Sequence, residues 1–123
     1  MSSNKTPAAH EKEYILKKLN DCLFGHVREK ALNVDLLAKL MHMSRPTLYR
    51  KMKSITDLTP NELINEARLK KAAELLAAGE YRAFEVARML GYTSQSSFGK
   101  SFLKQYKVTP ATYQRMKKIM HAA

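Results

Sequence analysis

Hydrophobic residues recur every three or four positions along nearly the whole chain, and this spacing predicts an all-α fold of about seven helices. No stretch shows the sustained apolar–polar alternation of a half-buried strand, and the chain has only four Gly and four Pro. We expect helices over about 11–28, 34–41, 45–54, 60–78, 83–90 and 95–106, with a last helix from 110 onward.

One pattern of apolar positions occurs twice, about fifty residues apart. Residues 34–53 and 84–105 each contain a short apolar helix, a turn, a Ser and then a second helix. A short helix, a tight turn and a second helix form the helix-turn-helix motif, and its duplication predicts two such units. The expected buried positions of the second helices are Leu48, Met52, Phe98 and Phe102.

A long helix is predicted between the two units. Thr59 and Glu62 match a capping box around Pro60 at the first helical position, and Gly79 is suited to end the helix. At 1.5 Å per residue this helix would span about 28 Å, close to the roughly 34 Å between successive major-groove segments on one side of B-DNA. The expected organisation is a disordered leader or boundary segment (1–10), an N-terminal helix-turn-helix subdomain (11–58), a connector helix (59–79) and a C-terminal helix-turn-helix subdomain (80–123).

The charge balance favours a nucleic-acid partner. The chain has 22 Lys and Arg against 11 Asp and Glu, a net charge of +11. Residues 44–56 and 94–123 contain no acid, and each stretch includes the second helix of a repeat. A basic surface can serve solubility alone, but its coincidence with both repeats predicts double-stranded DNA as the partner.

Other kinds of chemistry have little support in the sequence. Cys22 is the only cysteine and the four His are scattered, so no disulfide, metal site or cofactor is expected. No pairing of nucleophile and base or phosphate-binding loop suggests an enzyme. No apolar run approaches 18 residues and no signal peptide opens the chain, so no membrane contact and a cytoplasmic location are expected.

The outward faces of the two second helices are the candidate DNA-binding surface. Arg can bond guanine at two atoms and Gln can bond adenine, whereas Lys suits the backbone phosphates. Tyr49 could contact a base or phosphate, or be a partly buried surface aromatic. Gly99 could permit close approach of the helix to DNA, or reflect neutral drift. The candidate residues are Arg45, Pro46, Tyr49, Arg50, Lys53, Gln95, Ser96, Gly99, Lys100 and Lys104.

As a set, several fragments resemble the DNA-binding domain of AraC/XylS-type transcription regulators. They include Met43-Ser44-Arg45, Leu48-Tyr49-Arg50-Lys51, Leu58-Thr59-Pro60, Leu90-Gly91-Tyr92, Ser94-Gln95-Ser96, Phe102-Leu103-Lys104 and Val108-Thr109-Pro110. The resemblance implies seven helices, two helix-turn-helix units and a long connector. It implies base contacts at Arg45, Pro46, Tyr49, Arg50, Gln95, Ser96, Gly99 and Lys100. It also implies contact with RNA polymerase and a sensor or receiver domain elsewhere in a longer parent chain; residues 44–51 are similar to output domains of hybrid two-component systems.

The sequence departs from the family pattern at some positions and leaves rival functions open. His42 replaces the usual Gly, so a looser first turn is expected, and Arg82 replaces a capping Ser or Thr, so that helix could fray. Pro46 and Gly99 change two reading positions, so the base preference of relatives does not transfer. The alternatives are a basic RNA-associated helical protein and a protein-interaction module with a surface rich in Met.

Overall fold

The computed structural model describes residues 7–122, and this part of the chain consists of seven α-helices without a strand. The all-α prediction is therefore confirmed. The helices are α1 (Pro7–His26), α2 (Val34–Leu40), α3 (Arg45–Thr56), α4 (Pro60–Ala78), α5 (Ala83–Met89), α6 (Gln95–Tyr106) and α7 (Pro110–Ala122).

Most predicted boundaries agree with these bounds to within two residues. The largest difference is at the N-terminus, where α1 begins at Pro7 instead of near Glu11. Four residues of the expected leader therefore belong to a helix, and the rest of that leader lies outside the described residues. Pro is well tolerated in the first turn of a helix, because the amide that it lacks would have no intrahelical partner there.

Helix α4 has the ends that its sequence predicts. The Thr59 amide donates to Glu62 Oε1 at 2.9 Å, and the Glu62 amide donates to Thr59 Oγ1 at 3.2 Å, which completes the capping box. Gly79 follows the last turn with φ of 78°, a left-handed conformation that favours glycine. The chain divides into two compact units within this helix, after Ile64.

Unit 1 contains residues 7–26 and 31–64 of the described chain. Its helices α1, α2 and α3 and the first turn of α4 each bury one apolar stripe. Helix α2 contacts both α1 and α3. The buried side chains are Ile15, Leu19, Leu23, Leu32, Val34, Leu37, Ala38, Met41, Leu48, Met52, Leu63 and Ile64.

Unit 2 contains residues 27–30 and 65–122 of the described chain, and its core is rich in aromatic residues. Phe98 and Phe102 are fully buried, with ring centroids 5.8 Å apart. Tyr106 stacks on Phe102 at 4.6 Å, and Tyr113 meets the same ring edge-on at 5.3 Å. These contacts join α6 to α7, and the aliphatic part of the core comes from Leu69, Ala72, Ala73, Leu76, Val86, Ala87 and Leu90.

The helices α3 and α6 end in the same way, which supports the internal repeat. Each is followed by a non-glycine residue in the left-handed conformation: Asp57 with φ of 62° and Lys107 with φ of 68°. The Asp57 amide donates to the Lys53 carbonyl at 3.2 Å, and the Lys107 amide donates to the Leu103 carbonyl at 2.8 Å. The chain therefore turns sharply at both positions before the next Thr-Pro helix start.

Several apolar residues with helical spacing are not fully buried. On α7, Met116, Ile119 and Met120 are 48%, 69% and 64% exposed, although they lie three or four residues apart or side by side on one helix. In α2 the buried positions are Val34, Leu37, Ala38 and Met41, whereas Leu36 and Leu40 are only half-buried. Cys22 is also half-buried. An apolar stripe predicts one face of a helix, but how far along it a neighbour extends depends on tertiary packing.

Candidate nucleic-acid interface

The two helix-turn-helix turns have the same hydrogen-bonded geometry. In the first, the His42 and Met43 amides donate to the carbonyls of Lys39 and Ala38 at 3.0 and 2.9 Å. In the second, the Gly91 and Tyr92 amides donate to Arg88 and Ala87 at 3.1 and 3.0 Å. His42 adopts φ of 57° where the second turn has Gly91 at 83°. The expectation of a looser first turn is therefore wrong: the turn closes equally well, and its strain is confined to one histidine.

A serine caps the second helix of each unit. Ser44 Oγ accepts the Thr47 amide at 3.3 Å, and Ser94 Oγ accepts the Ser97 amide at 3.0 Å. Such caps satisfy one of the otherwise unpaired amides at a helix start and fix where the helix begins. Both candidate recognition helices thus start at a defined residue directly after the turn.

Helix α5, the first helix of the second unit, is capped differently from the expectation. Arg82 provides no side-chain cap, as its residue type requires, but its amide donates to Glu85 Oε1 at 2.9 Å. The glutamate thus supplies half of a capping box from the third helical position, where its charge also interacts favourably with the helix dipole. A frayed start is therefore not observed.

Helix α3 presents the expected polar face. Its buried side consists of Leu48 and Met52, both fully buried. The opposite side is an open groove whose Tyr49 is half-buried, in keeping with either role considered for it. The residues lining the groove are Pro46, Tyr49, Arg50, Lys53, Ser54 and Thr59.

Ion pairs change the interpretation of two cations in unit 1. Arg45 Nη1 lies 3.3 Å from Asp35 Oδ1 on α2, and both side chains remain exposed. Lys51 Nζ lies 3.0 Å from Glu11 Oε1 on α1. Because exposed ion pairs are weak, neither side chain is locked. The positions of these carboxylates, distant in sequence, could not be inferred from helical spacing alone.

Helix α6 presents the second polar face. Gln95, Ser96, Lys100 and Lys104 are all exposed, opposite the buried Phe98 and Phe102. Gly99 is half-buried, yet no other part of the protein lies within 4 Å of the position that a Cβ would take. Packing within the protein therefore does not require glycine here. The close-approach explanation for Gly99 stays a prediction, as do the DNA contacts of all ten candidate residues.

Tyr92 closes the core behind the N-terminus of α6. Its hydroxyl donates to Asn65 Oδ1 at 2.8 Å, and its ring centroid lies 5.1 Å from that of Phe98. Burial raises the pKa of Tyr92 to about 12, an effect that the nearby positive charge of Arg68 opposes. The phenol is therefore neutral at physiological pH and brings no negative charge to this region.

Comparisons with known proteins identify the family. The family model described as "Helix-turn-helix domain" matches residues 37–116, which include both turns. The chain belongs to the AraC-type helix-turn-helix family. This AraC-type domain is 35% identical over 108 residues to HTH-type transcriptional regulator MtrA of Neisseria gonorrhoeae, covering 82% of the chain and 36% of MtrA. It is 34% identical over 102 residues to histidine kinase P4 of Formosa agariphila, covering 83% of the chain and 7% of the kinase.

A solved structure shows the same fold for the AraC-type domain. The DNA-binding domain of AdpA, crystallised in complex with a target DNA, matches with a TM-score of 0.75 and 28% identity, over 85% of this chain and 94% of that one. Family membership and this likeness support sequence-specific DNA binding for transcription regulation. The chain spans only 36% of the length of MtrA and 7% of the length of the kinase, so the match does not transfer the functions of those whole proteins to this chain.

Within the described residues of the AraC-type domain, no group of three or more His, Cys, Asp or Glu side chains could hold a metal ion. None of the described helices is long and apolar enough to cross a membrane.

Proposed function

We propose that one monomer binds duplex DNA at two adjacent major-groove segments, with α3 reading one segment and α6 the other. The observation that carries this proposal is the repeated geometry. Each unit has the same closed turn, the same serine cap and a second helix with an apolar buried side and a polar exposed side. In a helix-turn-helix, the N-terminal residues of such a second helix meet the base edges.

The candidate residues divide into those assigned to base contacts and those assigned to phosphate contacts. We assign base reading to Arg45, Arg50 and Gln95, because their side chains can make paired hydrogen bonds with purines and are exposed at or near a helix start. Lys53, Lys100 and Lys104 are exposed cations that suit backbone phosphates. The remaining candidates, Pro46, Tyr49, Ser96 and Gly99, supply contact surface or close approach.

We further propose that the chain is the output domain of a longer regulator, joined in that protein to a sensor or receiver domain. The similarity to a small part of a histidine kinase supports a two-component parent. Contact with RNA polymerase, which the resemblance to the family implies, and a cytoplasmic location complete this proposal. Family membership supports a role in binding and not in catalysis.

The test is selection of bound duplexes from a random pool. We expect two conserved blocks whose centres are about 10 base pairs apart, one helical turn. A single short block would contradict the proposal that one monomer reads two segments. Structured RNA that displaced the protein as well as duplex DNA does would favour an RNA-associated protein instead.

A protein-interaction module is a second candidate, and one observation favours it. Met116, Ile119 and Met120 expose an apolar surface near the end of α7. Methionine-rich surfaces can adapt to partner proteins. This candidate predicts that binding to the physiological partner changes little with salt, whereas phosphate contacts predict a steep fall in affinity.

A further inference from the structure

Two cations from distant parts of the sequence meet in a cleft of unit 2. The cleft is lined by Lys30, Arg88, Gly91, Tyr92 and Thr93. Lys30 lies in the segment between α1 and α2, and Arg88 lies in the last turn of α5. We call this the Lys30–Arg88 cleft. Sequence spacing does not group these two residues, since 58 positions separate them.

Lys30 lies close to Gly91 in the turn of the second unit. A Cβ built on Gly91 would lie 3.6 Å from Lys30 Cγ and 3.7 Å from Lys30 Cα. The stem of the lysine therefore lies against the turn of the second helix-turn-helix. Lysine commonly packs its methylene stem on a surface while its ammonium group stays in water. The Lys30 charge is in this way held near the turn.

The charges of the cleft are not compensated within the described part of the chain. None of its lining residues is acidic, and neither Lys30 nor Arg88 forms an ion pair with another described residue. Glu85, the acid of α5, accepts the Arg82 amide instead. Tyr92 contributes a neutral phenol whose hydroxyl is bound to Asn65. The cleft is therefore suited to an anion.

The position of the cleft indicates which anion it takes. Thr93 directly precedes Ser94, the cap of α6, so the cleft borders the N-terminus of the candidate recognition helix. When such an N-terminus enters a major groove, the residues just before it lie at the groove edge, where the phosphates are. Arg88 at the end of α5 also interacts favourably with the dipole of its own helix, but this role does not explain why Lys30 joins it.

We propose that the Lys30–Arg88 cleft binds one backbone phosphate of the duplex that α6 reads, with charge from Lys30 and Arg88 and a hydrogen bond from the Thr93 hydroxyl. This proposal rests on the proposed function and adds to it a phosphate contact to which Lys30 contributes from outside the helix-turn-helix repeat. The contact fixes the position of α6 on the duplex without reading sequence.

The test measures affinity for a selected duplex and for an unrelated duplex as salt is varied. Loss of one phosphate contact reduces the slope of log affinity against log salt by about 0.9, so Lys30→Ala/Arg88→Ala, which removes both charges from a single phosphate, should reduce it by about 0.9. The ratio of wild-type to double-variant affinity should then shrink about 3.5-fold between 50 and 200 mM salt. Both duplexes should show the same change. Thr93→Val should weaken binding without changing the slope, because a hydroxyl carries no charge.

Lys17→Ala is the matched control. Lys17 is an exposed lysine on α1, outside the cleft and outside both second helices, so its removal makes the same chemical change elsewhere. Its slope should equal that of the wild type. A double variant that behaves like Lys17→Ala, in slope and in affinity, would overturn the cleft proposal. Failure of the wild-type protein to bind duplex DNA would instead refute the proposed function.

Two further measurements separate DNA phosphate from other anions. A neutral methylphosphonate placed at one backbone position should weaken the wild type but not the double variant, and a scan along the duplex should find that position. Inorganic phosphate serves as the second probe, with the amide signals of residues 91–93 as the NMR readout. Saturable binding of inorganic phosphate, combined with an unchanged DNA salt slope in the double variant, would assign the cleft to a small anion and overturn the proposal.

Discussion

The side chain of Gln114 ties the last helix to the rest of unit 2, and its removal has a calculable cost. Its Nε2 donates to the carbonyl oxygens of Leu76 at 3.2 Å and Tyr81 at 2.6 Å. The Leu76 carbonyl lies in the last turn of α4, and the Tyr81 carbonyl lies in the segment between α4 and α5. Gln114→Ala removes both hydrogen bonds and leaves the helix propensity of α7 nearly unchanged.

Each neutral hydrogen bond contributes about 0.5–1.5 kcal/mol, so the two together would give about 1–3 kcal/mol. Gln114 is half-buried, and water can reach part of the vacated site, which favours the lower half of this range. We therefore expect a loss of about 1–2 kcal/mol in the free energy of unfolding. With an m value of about 2 kcal/mol/M, the urea midpoint should fall by about 0.5–1 M.

The assay is urea unfolding followed by circular dichroism, with Gln105→Ala as control. Gln105 is an exposed glutamine on α6 with no side-chain hydrogen bond to another described residue, so its replacement should change stability by less than about 0.5 kcal/mol. Gln114→Glu sharpens the test, because an ionised carboxylate cannot donate to two carbonyls and should destabilise at least as much as alanine at neutral pH. Equal midpoints for Gln114→Ala and Gln105→Ala would refute the reasoning.

Three other predictions test the site and its support. Arg50→Ala should lose roughly 1–3 kcal/mol of binding free energy at one base pair of the selected site, whereas Lys104→Ala should weaken binding to all sequences alike. Duplexes with single base-pair substitutions measure both effects. A uniform loss for Arg50→Ala would reassign that residue to the DNA backbone. Ser94→Ala should cost about 1 kcal/mol of stability in thermal unfolding, and Ser97→Ala, which keeps its backbone amide, should cost clearly less. The pKa of Tyr92, about 12 in the folded chain, exceeds its ordinary value of 10.0, so the folded state keeps a proton that the unfolded state releases. The contribution of the neutral Tyr92 phenol to stability is complete below pH 10 and should be lost as pH rises to 12. Tyr92→Phe should flatten that decline, and an equal decline in both proteins would contradict the assignment.

Much of the fold was predictable because local signals and tertiary packing agree. The ends of α4 are set by Thr59, Glu62 and Gly79, whose side-chain or backbone preferences act within a few residues. The buried sides of α3 and α6 follow from apolar residues one turn apart. Such signals are contained in the sequence itself, and the apolar positions of the second helices recur in both repeats.

The contacts between distant segments were not predictable in this way. The pairing of Lys51 with Glu11 and the approach of Lys30 to Gly91 depend on how separate helices pack, which periodicity does not describe. The exposure of Ile119 has the same cause: apolar spacing predicts a helix there, but it does not predict whether another helix covers the apolar face. The candidate DNA contacts follow from the exposed faces of α3 and α6.

The left-handed residues after α3 and α6 leave this protein room to become more stable. A side chain in that conformation costs about 1–2 kcal/mol relative to a right-handed one, and glycine avoids most of that cost. Asp57→Gly and Lys107→Gly should each remove most of this conformational cost. The gain in stability is partly offset because glycine has greater conformational freedom in the unfolded chain. Natural sequences need only exceed a stability threshold, and this protein keeps a non-glycine residue in the left-handed conformation after the second helix of both units.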